Sequence, residues 1–67
     1  MATSKTIALD AMGGDHGPSV TIAGAALSLE RHPSLKFIFT GDEAKIEAAL
    51  AAHPKLAAAA RVVHTAL

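Results

Sequence analysis

Residues 10–18 read Asp10-Ala11-Met12-Gly13-Gly14-Asp15-His16-Gly17-Pro18, a stretch that gathers two carboxylates, an imidazole and three glycines. Thr6-Ile7-Ala8-Leu9 ahead of it has the length of a buried strand, and Pro18 suits the first position of a helix, where its missing N–H costs nothing. Glycines in a strand-to-helix turn let the backbone approach a bound group closely. The free N–H groups and positive dipole end of the new helix then favour negative charge, and phosphate is the natural guest. The competing reading is a tight turn in which glycine only supplies positive φ. Asp10 and Asp15 would repel a phosphate in direct contact unless they orient donors, hold a cation or assist proton chemistry. Asp15 could equally cap the helix through its side-chain oxygen. His16 could donate to an anion or move a proton near neutral pH, or simply be an exposed loop histidine.

Two well-known phosphate patterns are excluded. The spacing Gly13-Gly14-Asp15-His16-Gly17 is not G-x-G-x-x-G, and no Gly-Lys-Ser/Thr follows as in a Walker loop, which disfavours NAD and ATP. His32, His53 and His64 form no i, i+4 pair and have no cysteine to join, so a zinc site is not expected.

The elements that must position this turn alternate β-α-β-α-β. The sequence predicts a strand at 5–10, a helix at 18–32, a strand at 35–40, a helix at 43–52, a turn or short helix at 54–59 and a strand at 61–65. The strands are apolar on successive residues, as expected when helices cover both faces of a parallel sheet with right-handed crossovers. The first helix carries Val20, Ile22, Ala23, Gly24, Ala25, Ala26, Leu27 and Leu29, and reads as buried for most of its length. Gly24 among alanines costs about 1 kcal/mol of helix propensity, so close packing against a neighbour is expected there. In the second helix Asp42 is placed to cap the free N–H groups, and Ile46, Ala49 and Leu50 share a face. Gly41-Asp42 repeats, on a smaller scale, the strand-end position of the first turn.

Composition bounds the partners. With Lys plus Arg 6 and Asp plus Glu 6, there is no basic excess to neutralise a nucleic-acid backbone. Phe37 and Phe39 are the only aromatic residues and fall inside a strand, so no base-stacking platform is expected either. The apolar run after Lys5 is broken at Asp10, too soon for a signal-peptide core or a membrane span. Absence of cysteine fits the cytoplasm. Sixty-seven residues without disulfides make a marginal autonomous unit, and the expectation is that the chain is the N-terminal part of a single larger α/β domain.

The string Ile7-Ala8-Leu9-Asp10-Ala11-Met12-Gly13-Gly14-Asp15-His16-Gly17-Pro18, followed at suitable intervals by Gly41-Asp42 and Val62-Val63-His64, resembles the N-terminus of the phosphate acyltransferases of bacterial phospholipid synthesis. Asp-x-Met-Gly-Gly-Asp-x-Gly-Pro carries the resemblance. The alanine-rich remainder agrees in layout. Position 16 is often aromatic in that family, which leaves His16 little catalytic weight. The resemblance implies a three-layer α/β/α fold similar to the isopropylmalate and isocitrate dehydrogenases, of which this chain is the first β-α-β-α-β portion. It implies an enzyme that moves a fatty acyl group from acyl carrier protein to inorganic phosphate. The acyl phosphate would supply a membrane-bound glycerol-3-phosphate acyltransferase. No metal or organic cofactor is implied, and the enzyme would be a cytoplasmic homodimer associating peripherally with the inner face of the membrane. Combined with the residue reading, it assigns Asp10 and Asp15 to catalysis and Met12, Gly13, Gly14, His16 and Gly17 to substrate or phosphate binding. Two alternatives stand beside it: a phosphotransacetylase-like enzyme using acyl-coenzyme A, and a non-catalytic truncated piece. The isolated 67 residues are expected to be inactive.

Overall fold

A computed structural model describes residues 5–12 and 17–65. The elements run β1 (Thr6–Asp10), α1 (Pro18–Arg31), β2 (Lys36–Gly41), α2 (Glu43–Leu50), α3 (Pro54–Ala58) and β3 (Ala60–His64), the order that the sequence predicts. The three strands form one parallel sheet in the order β1-β2-β3, with β2 in the centre.

Register decides which side chains share a face. Ile7 pairs with Phe37 and Leu9 with Phe39, while Phe37 and Phe39 pair with Ala60 and Val62 across the other edge. These residues form one face, since side chains alternate along a strand. On it sit Ile22 and Ala25 from α1, Ile46 and Leu50 from α2 and Leu56 from α3, all buried. The Phe37 and Phe39 rings stack with centroids 5.8 Å apart and planes at 5°. Full burial of Ile22, Phe39, Ile46 and Leu56 contributes roughly 1.5–3 kcal/mol each before the ordering entropy is counted.

The helices obey local rules. Pro18 opens α1 behind Gly17, whose φ of 74° only glycine adopts easily, and the helix ends with the His32 N–H donating to the Ser28 carbonyl at 2.9 Å ahead of Pro33. In α2, Asp42, extended at φ −74°, accepts from the Lys45 N–H at 3.3 Å. Helix α2 stops at Leu50 rather than 52, because the chain tightens: Ala52 N–H donates to the Ala49 carbonyl at 3.3 Å and His53 N–H to the Leu50 carbonyl at 2.8 Å.

Two expectations are corrected. Helices α1, α2 and α3 pack against one another on the Phe37 and Phe39 face alone, and Thr6, Ala8, Asp10, Arg61 and Val63 on the other face are exposed. Two like-handed crossovers between successive neighbouring strands fall on the same side, so the described residues cover one face of the sheet. For the same reason α1 buries a stripe and not most of its length: Val20 is 54% and Leu27 63% exposed. At Gly24 a built Cβ meets nothing within 4 Å, so the close packing expected there is not made among the described residues.

Candidate functional site

The carboxyl ends of the three strands lie side by side. Asp10 pairs with Thr40, and Gly41 pairs with His64. Two backbone hydrogen bonds carry the alignment past the strands: the Ala11 N–H donates to the Thr40 carbonyl at 3.0 Å, and the Thr65 N–H to the Gly41 carbonyl at 2.9 Å. Ala11 is fully buried by this arrangement.

Asp10 begins the turn by a local hydrogen bond. Its Oδ1 accepts from the Met12 N–H at 3.0 Å, an aspartate turn in which the side chain stands in for a backbone carbonyl. One carboxylate oxygen and the Met12 amide are thereby engaged, while the Asp10 side chain remains exposed at the sheet edge. The half-buried Met12 side chain leans across to the end of β2. A Cβ built on Gly41 would fall on Met12 Cγ and lie 3.2 Å from Met12 Sδ and 3.4 Å from Ile46 Cδ1. Gly41 itself is buried, with φ of +144°, where a side chain is disfavoured.

The two helices that start at this edge differ. At α2 the donors are occupied, by Asp42 Oδ1 for the Lys45 N–H and by His64 Nδ1 for the Glu43 N–H at 3.1 Å. At α1 the N-cap is Gly17, which offers no side-chain acceptor. Asp15, the residue that the sequence offers as a cap for α1, is not among the described residues.

Of the residues singled out from sequence, Asp10, Met12 and Gly17 belong to this edge. Gly13, Gly14, Asp15 and His16 lie outside the described residues. His32 and His53 stand at helix ends away from the edge, and His64 is drawn into capping α2. That role spans 21 residues of sequence and carries no local signal. Gly41 was legible as a strand-end glycine, but its contact with Met12 depends on the β1–β2 register. A cavity of about 1190 Å³ lies elsewhere, beside the start of β2, between Leu27 and Leu29 of α1 and Leu56 of α3. Among the described residues no group of three His, Asp or Glu side chains is placed to hold a metal ion, and no helix is long and apolar enough to cross a membrane.

A parallel α/β unit with Gly17 and Gly41 near the carboxyl edge of its sheet belongs to the class of folds that bind ligands at that edge. The chain belongs to the fatty acid synthesis protein family, whose profile, described as "Fatty acid synthesis protein", matches residues 5–66. It is similar to proteins named phosphate acyltransferase: 57% identical over 65 residues to that of Xanthobacter autotrophicus, 66% to that of Rhodopseudomonas palustris and 63% to that of Nitrobacter hamburgensis. Each match covers 97% of this chain, and the chain spans 18% of the length of each of these curated relatives.

Proposed function

We propose that this chain is the phosphate-holding wall of an acyltransferase that moves a fatty acyl group from acyl carrier protein to inorganic phosphate. The observation that carries the reading is the match, over 97% of the chain, to relatives named phosphate acyltransferase, in a segment where Gly17 stands at the N-cap of α1 beside the carboxyl ends of the strands.

The chemistry is a single displacement at an acyl carbon. A phosphate oxygen attacks the thioester carbonyl, a C–O bond forms, and the carbonyl oxygen takes up negative charge. Collapse of that adduct breaks the C–S bond and releases the carrier thiolate, which a proton then quenches, leaving acyl phosphate. No enzyme nucleophile is required. Catalysis is then positioning and charge stabilisation. In this account the backbone N–H groups of Gly13, Gly14 and Gly17 hold phosphate or the developing oxyanion. Asp10 or Asp15 orients a donor or a cationic side chain supplied from outside this chain. The Met12 amide is held by Asp10 Oδ1, so the share of Met12 in the site falls to its side chain and backbone placement.

The wider assignments rest on the same resemblance. The acyl phosphate supplies a membrane-bound glycerol-3-phosphate acyltransferase in phospholipid synthesis, and the enzyme works as a homodimer in the cytoplasm, associated peripherally with the inner face of the membrane. Purified full-length protein given phosphate with either an acylated carrier protein or the same acyl group on coenzyme A, with acyl phosphate trapped by hydroxylamine, tests the reading. Faster product formation from the carrier protein is expected. Preference for coenzyme A would move the protein to the phosphotransacetylase-like alternative, and no acyl phosphate from either donor would overturn both.

A further inference from the structure

We infer that Gly41 is a positioning residue for the turn at residues 10–12, acting through the side chain of Met12. The inference rests on the phosphate reading above for its kinetic consequence, and on geometry for its substance.

Gly41 lies beside the Met12 side chain, at a strand end bonded to both neighbouring segments. Its missing Cβ is the space that Met12 Cγ and Sδ occupy, with Ile46 Cδ1 closing the third side. Its carbonyl accepts the Thr65 N–H at 2.9 Å, and the preceding Thr40 carbonyl accepts the Ala11 N–H at 3.0 Å. Helix capping needs none of this, because Asp42 and His64 serve the α2 donors without any contribution from position 41. What requires glycine is the combination of φ +144° with a neighbour lying where a Cβ would stand. A thioether side chain is well suited to the slot, being unbranched and adaptable. A side chain at 41 would meet the Met12 side chain at Cγ, close to its backbone, so the inference is that residue 12 shifts with it. A displacement of about 1 Å is enough to disturb a site that works by placement.

The experiment is a double-mutant cycle in the full-length protein with Gly41→Ala, Met12→Ala and the two combined. Gly41→Ala is expected to raise the KM for phosphate about tenfold. At saturating phosphate kcat should stay within about threefold, because what is lost is binding placement and not chemistry. If Gly41 acts through Met12, the double variant should fall within about twofold of Met12→Ala alone. Effects that multiply, or a kcat loss with phosphate KM unchanged, would overturn the inference. Hydrogen exchange of the Ala11 and Met12 amides in the same proteins reads the seating directly. It should quicken in both single variants while the Phe39 amide in β2 keeps its rate. If Gly41→Ala fails to fold, Met12→Ala carries the test: unchanged phosphate KM together with unchanged exchange at Ala11 overturns the inference. Quickened exchange in a protein whose parent makes no acyl phosphate separates the two claims, sustaining the positioning role and removing the phosphate reading.

Discussion

His64 Nδ1 accepts a hydrogen bond from the backbone N–H of Glu43 at 3.1 Å, joining the last residue of β3 to the first residue of α2. The contact satisfies one of the donors that a helix start leaves unpaired. It also ties the outer strand to the carboxyl edge of the sheet. Replacing His64 by Ala removes the acceptor from an exposed pair, which costs roughly 0.5–1 kcal/mol. Exchange of the Glu43 amide, followed by NMR, is expected to quicken about two- to fivefold at that cost, whereas an unchanged rate would mean that water replaces the imidazole without loss.

Asp10 gives a second expectation. The turn needs an acceptor at Oδ1 for the Met12 N–H, and asparagine supplies one while lacking the charge. Asp10→Asn should therefore leave the urea unfolding midpoint nearly unchanged, and Asp10→Ala should lower stability by about 1 kcal/mol with the same m-value. Equal loss in both variants would assign the stability to the carboxylate charge.

Phe39 tests the core. It is fully buried at the centre of the central strand, stacked on Phe37 and facing the helices. Phe39→Ala leaves a cavity that its neighbours close only in part, at a cost of about 3–5 kcal/mol. Such a loss is expected to remove the cooperative thermal transition of this region, while Phe39→Leu should retain it at a lower midpoint.

Local signals account for what was legible in the sequence. Pro18 after Gly17, Asp42 ahead of Glu43 and the apolar strand runs place all six elements in order, and Asp42 caps α2 as its position suggests. Burial is narrower than the apolar composition of α1 suggests, for a physical reason. Val20, Leu27 and Gly24 look like core in a list of apolar residues, but with every helix on one sheet face only the stripe through Ile22 and Ala25 is enclosed. At the site, Asp10 was legible as a strand-end carboxylate but its aspartate turn was not, because that depends on where its Oδ1 points. The Met12–Gly41 contact and the His64 cap were hidden more deeply. Both pair residues more than twenty positions apart, and both exist only once the three strands are in register.

The most direct test of the central claim, that the glycine turn after β1 works on phosphate in acyl transfer, is acyl phosphate formation by full-length Gly14→Val. A branched side chain at that position blocks close backbone approach to an anion. Circular dichroism unchanged from the parent, with acyl phosphate formation from acylated carrier protein abolished, is the predicted result. A folded Gly14→Val protein that still makes acyl phosphate at the parent's rate would contradict it.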